Sequence, residues 1–124
     1  MKKIHYYQLP GFEQVYLEDG YVLDIKTHAN SVDIFLEAVL TEKHPQYTFP
    51  KQNEQYCYRN AHIYFSNVEE VNWAEKSMIP YEDANSEVDN GNIDEFCLVD
   101  GYYHITGDWG VLNIVSSAPT FDLL

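Results

Sequence analysis

The sequence predicts an all-β fold, an antiparallel sandwich or flattened barrel of about eight strands with two long loops, as one domain over residues 1–124. Three observations carry this expectation. Apolar residues alternate with period two through several runs, which places them on one face of a strand. The pairs Asp19-Gly20 and Asp100-Gly101 stand between apolar runs, where Asp-Gly is a strong hairpin signal. Helix cues are few, and the turn signals are closely spaced.

The chain is organised around Tyr56–Trp73. Here Cys57, Arg59, Ala61, Ile63 and Phe65 share one parity, and Tyr58, Asn60, His62 and Tyr64 share the other. In chain order, Phe12–Leu17 reads as a strand, Glu18-Asp19-Gly20 as a hairpin turn and Tyr21–Thr27 as the return strand. Ser31–Thr41 follows as the longest strand candidate. A short helix is the competing reading, but Val32, Ile34 and Phe35 are poor helix formers and the alternation is longer than the helical match.

Glu42–Gln55 holds two prolines and forms the first long loop. After Phe65, Ser66 and Glu69 match a capping box, while Val71 and Trp73 alternate as in a strand; a strand continuing through a bulge or tight turn is expected. Ala74–Asn92 is the second long loop, acidic and without regular structure. Ile93–Val99, Tyr102–Thr106 and Val111–Ser116 then make a meander, turned at Asp100-Gly101 and at Gly107–Gly110.

Seven basic against twenty acidic residues give a formal net charge of −13. Such a surface repels nucleic acid, anionic lipid and phosphorylated substrates, and favours a basic protein or a cation. No window approaches the ~18 apolar residues of a membrane helix, and Met1–Phe12 has no apolar core of signal-peptide length, so a cytoplasmic location is expected. Cys57 and Cys97 sit in apolar runs and read as buried free thiols; whether their strands are adjacent is left open.

No catalytic or cofactor motif stands out. There is no G-x-S-x-G, and the apolar settings of the two cysteines argue against an activated thiolate. Asp83, Asn85, Glu87, Asp89 and Asp94 invite comparison with a calcium loop, but Val88 occupies the glycine position and Asp94 replaces the final glutamate. Asp83, Glu87, Asp89 and Asp94 are therefore only weak metal candidates. Five histidines show no metal-ligand spacing, although His62 and His104 could meet if their strands were adjacent.

Tyrosine supplies eleven of the 124 residues. Tyr47, Tyr58, Tyr64, Tyr81 and Tyr102 fall beside acids or on polar strand parities, the chemistry of a protein-binding face: large contact area, low ordering cost, and a hydroxyl that tolerates water. The competing reading is that β-sheets are simply rich in tyrosine. Arg59, alone among apolar neighbours, is expected to meet a carboxylate such as Asp94, Glu37 or Asp33. Trp109, between two glycines, is expected to be buried against the sheet's end rather than exposed as an interface anchor.

The runs EAVLTEKHP (37–45), YCYRNAHIYFSNVEEVNW (56–73), VDNGNIDEF (88–96) and the GDWG turn (107–110) together resemble a group of small, functionally uncharacterised bacterial proteins whose motifs have no assigned catalytic role. In style, the acidic β-rich domain is similar to immunity proteins of bacterial toxin systems. The charge of −13, the tyrosines and the lack of a catalytic constellation predict a non-enzymatic acidic binding protein, in keeping with that style an immunity- or antitoxin-type inhibitor of a basic protein partner. Two other classes stand beside it: a small-molecule or cation-binding domain using Glu82–Asp94 with His62 or His104, and a scaffold subunit acting through assembly.

Overall fold

A computed structural model describes residues 3–75, 81–82, 88–89 and 91–124. Nine strands form two antiparallel sheets packed as an open sandwich, not a closed barrel. The strands are β1 (Lys3–His5), β2 (Val15–Thr27), β3 (Val32–Leu40), β4 (Cys57–Phe65), β5 (Glu70–Glu75), β8 (Ile93–Val99), β9 (Tyr102–Gly107), β10 (Gly110–Val115) and β11 (Thr120–Leu123). One sheet runs β1-β8-β9-β10-β5 and the other β11-β4-β3-β2. Two further pieces, β6 (Tyr81–Glu82) and β7 (Val88–Asp89), pair with each other. The second long loop thus contains a short ladder where no regular structure is expected from its composition; a two-residue strand is too brief to leave a periodic signal.

The alternation of β3 and β4 holds as read. Val32, Ile34, Leu36, Ala38 and Leu40 are buried and pair rung by rung with Phe65, Ile63, Ala61, Arg59 and Cys57. The opposing sheet contributes Ile93, Phe96, Tyr103, Ile105, Leu112 and Ile114 to the same core. Aromatic contacts join the layers: Phe65 lies 6.1 Å from Phe96 and 5.6 Å from Tyr103, centroid to centroid. These tilted ring pairs, at 41° and 60° between planes, avoid face-to-face stacking and add to area burial. Phe12, which precedes β2, fills the gap between Phe96 and Phe121.

The chain changes sheets at Ser66–Val68. Asn67 takes φ 51°, and no helix begins there despite the Ser66/Glu69 pattern. Backbone bonds hold this corner from both sides: Val68 N–H donates to Asn30, Glu69 N–H to Val115 and Ser117 N–H to Ser66. Asp100 and Gly101, at φ 51° and 85°, make the tight turn expected of them.

Glu18-Asp19-Gly20 is not a hairpin. β2 continues through it, and its pairing with β3 shifts register between Tyr16 and Tyr21. A bulge takes up the extra residues, so Asp-Gly here bends a strand instead of ending it. Gly20 is required by proximity, since a Cβ there would lie 2.2 Å from the Glu37 carbonyl oxygen.

Arg59 also departs from expectation. It lies on the inward parity, but at the open end of the sheet its side chain reaches the first long loop, where Nη2 donates to Thr48 Oγ1 at 3.0 Å. Among the described residues no carboxylate pairs with it. A partly exposed guanidinium keeps water as a partner, so the pressure for an ion pair is absent. Cys57 and Cys97 are free, buried and on different sheets. Among the described residues no helix is long and apolar enough to cross a membrane.

Trp109 is 1% exposed and belongs to the core, with its indole against the Gly107 backbone. Trp109→Ala should therefore lower stability by about 3–5 kcal/mol, read from the denaturation midpoint in urea. Tyr6, buried after β1, bonds two ways: its hydroxyl donates to Glu18 Oε2 at 2.7 Å and accepts from Leu17 N–H at 3.2 Å. Tyr6→Phe leaves that buried amide without a partner and should cost about 1–3 kcal/mol. Burial and the neighbouring Glu18 carboxylate also raise the Tyr6 phenol well above its ordinary value. The folded state then holds a proton that the unfolded chain gives up near pH 10, so the Tyr6 contribution is intact below about pH 10 and lost as pH rises further. The stability gap between wild type and Tyr6→Phe should narrow as denaturation is repeated from about pH 8 to pH 10.5.

Candidate functional site

Paired residues of antiparallel strands point to the same side, so the registers fix what the outer face of the four-stranded sheet displays. One row across it is Tyr16, Val39 and Tyr58, and the next is Tyr21, Glu37 and Asn60. The third holds Asp24, Phe35, His62 and Asp122, and the fourth Lys26, Asp33, Tyr64 and Thr120. The bulge at Asp19-Gly20 is what brings Tyr16 and Tyr21 to one side, although they are five residues apart and would face opposite ways in a regular strand.

The first two rows form an aromatic and acidic patch. Tyr58 lies 6.4 Å from Tyr21 and 6.1 Å from Tyr56. Tyr16 is 44% exposed. The charges of Glu18 and then Asp19 raise the Tyr16 phenol above its ordinary value. Partial burial does most to raise Tyr58, with Asp19, Tyr56, Glu37 and Glu54 adding to it. The Tyr16 and Tyr58 rings therefore stay neutral at physiological pH, within the field of several carboxylates.

Beside this patch a cleft of about 420 Å³ opens between the end of the sheet and the first long loop. Val39, Leu40 and Cys57 form an apolar floor, and Tyr16, Tyr47 and Tyr56 rise around it with Asp19 and Glu42. Val39 is buried yet stands apart from the central core, because it points outward and is covered by this aromatic collar. Tyr47 packs partly on the core and meets Phe49, which is 88% exposed at the loop's tip. Among the described residues the lining contains no imidazole, amine or guanidinium to activate the Cys57 thiol.

Of the tyrosines singled out from the sequence, Tyr58 lies in the patch and Tyr47 in the cleft. Tyr64 stands at the opposite end of the same face, 5.8 Å from the His62 ring. Tyr102 lies on the other sheet, in a shallow groove of about 240 Å³ with Glu70, Asn72 and Asn113. Tyr81 is placed only as a backbone rung opposite Asp89. Tyr16, Tyr21 and Tyr56 were not singled out; the apparent turn at Glu18-Asp19-Gly20 hid the shared face of the first two, and Tyr56 precedes its strand.

His62 and His104 are not neighbours. They lie on different sheets, His62 bonded to Asp33 Oδ1 at 2.6 Å and His104 Nδ1 2.6 Å from Asn113 Oδ1. Asp33 also binds His28 Nε2 at 2.9 Å through its second oxygen. Asp83 and Glu87 lie outside the described residues, and Asp94 is exposed at a register shift in β8. Among the described residues no group of three or more such side chains is arranged to hold a metal ion.

Comparison with family models, curated proteins and solved structures finds no match to this chain. The electrostatic account of the patch is testable by itself. Replacing Glu18 and Asp19 with Gln and Asn should move the Tyr16 titration midpoint down toward the ordinary phenol value, followed by NMR of ring-labelled tyrosine; an unmoved midpoint would show that those carboxylates do not act on the ring.

Proposed function

We propose that this is a non-enzymatic binding protein that docks a basic protein on the outer face of its four-stranded sheet, in the manner of an immunity protein that blocks a toxin. One observation carries the reading: Tyr16, Tyr21, Tyr56 and Tyr58 gather with Asp19, Glu37 and Glu54 on a single accessible face. Rigid aromatic rings supply contact area at low entropic cost. The carboxylates around them select a partner of opposite charge and speed its approach, in keeping with the net charge of −13. A cytoplasmic setting accords with two free thiols.

The test is co-purification from the source cell at low ionic strength, with the bound protein identified and its affinity then measured in isolation. A basic partner is expected, with binding weakened at least about tenfold between low and high salt. Tyr58→Ala should weaken it by a similar factor while leaving the melting temperature near wild type. A partner that is neutral or acidic, or one indifferent to both salt and Tyr58, would sink the proposal. Self-association seen by light scattering in place of a partner would favour the scaffold role.

A further inference from the structure

The patch and the cleft differ in what they can bind. The patch is open and broad, whereas the cleft is a concave site of about 420 Å³, within the range of pockets that enclose a small ligand or a single long side chain. Its chemistry is layered. The floor of Val39, Leu40 and Cys57 is apolar, the walls are the rings of Tyr16, Tyr47 and Tyr56, and Asp19 and Glu42 contribute negative charge. Among the described residues neither carboxylate has a basic partner within 4.0 Å.

Each candidate occupant can be judged against that layering. An anion would meet two carboxylates and no donor of opposite charge, which like-charge repulsion disfavours. A neutral apolar group would suit the floor but would strip water from Asp19 and Glu42 without replacing it. A long cationic side chain satisfies every layer at once. Its methylene stem lies along apolar surface, and its charged head stays near water and acids. Its charge also meets the negative faces of tyrosine rings. Both phenols with resolved shifts near the cleft, Tyr16 and Tyr58, are raised, so the rings remain neutral and keep their attractive faces.

We propose that this cleft receives one arginine side chain of the basic partner, held between the Tyr16 and Tyr56 rings with Asp19 and Glu42 as its counter-charges. The proposal rests on the reading of the neighbouring face as a basic-protein site, and adds where the partner's anchor sits. Arginine suits it better than lysine, because a planar guanidinium stacks on aromatic rings and is more weakly hydrated than an ammonium.

The experiment uses the full chain and an arginine-rich peptide, with a second peptide of the same length carrying citrulline in place of arginine, followed by NMR of the Val39 methyls and the tyrosine rings. The arginine peptide should shift the Val39 methyl and the Tyr16 and Tyr56 ring signals, while the uncharged isostere should not. Tyr56→Leu, which keeps an apolar wall but removes the ring face, should weaken the arginine peptide by roughly three- to thirtyfold. Asp19→Asn provides a second variant that keeps the shape of the bulge and should act in the same direction.

The outcomes separate the two levels of inference. If the arginine peptide binds and Tyr58→Ala weakens it while Val39, Tyr56→Leu and Asp19→Asn are silent, the face stands and the cleft proposal falls. Equal shifts from the citrulline peptide would overturn the cationic assignment. No binding of the arginine peptide at low salt would overturn both.

Discussion

The pleat of β3 against β4 is the constraint on which the rest of the structure depends. Nine paired rungs run from Val32–Phe65 to Leu40–Cys57, and every second side chain on β3 is sealed in the core. A slip of one residue would turn Val32, Ile34, Leu36, Ala38 and Leu40 to the outside, a loss no local adjustment could recover. The same period dictates the other side. Once those residues face in, Asp33, Phe35, Glu37 and Val39 must face out beside His62, Asn60 and Tyr58. The display of aromatic and acidic groups is thus set by the requirement to bury aliphatic ones.

That display works against the fold's own stability. Carboxylates gathered on one surface repel each other, and a net charge of −13 extends the repulsion over the molecule. The sandwich tolerates this because its core is continuous from Phe12 through Phe96, Phe65 and Tyr103. A partner of opposite charge would relieve that repulsion, so the binding proposed for this face would draw part of its free energy from discharging it.

The long strands were legible in the sequence because burial on one face writes a period of two into the chain. β3, β4 and the β8–β9–β10 meander are recovered nearly residue for residue. Features governed by a single residue or by distant neighbours were not. Asp19-Gly20 carries the local chemistry of a turn, and only the approach of the Glu37 carbonyl shows that the glycine serves a bulge within a running strand. β1 and β11 are too short for a pattern to emerge. The parity of Arg59 follows from the alternation, but its partner depends on where the first long loop lies, and Thr48 is there in place of an acid. The candidate site suffered most, because its members come from β2, β3, the loop before β4 and β4 itself, and only the folded registers bring them together.

The short strand β1 pairs along the outer edge of β8. His5 pairs opposite Cys97, and Lys3 reaches Glu95 at 2.9 Å, which in turn accepts a bond from the Cys97 thiol at 3.4 Å. Burial, then the bond to Glu95, pushes that thiol up from its ordinary value, so in the closed state it is both hidden and protonated. A three-residue strand at a sheet edge is among the first parts of a fold to open. Cys97 could therefore serve as a clock for such opening: the rate at which an alkylating reagent captures it would measure how often β1 lifts, while Cys57, which lines the cleft on the other sheet, would keep separate time for the cleft's rim.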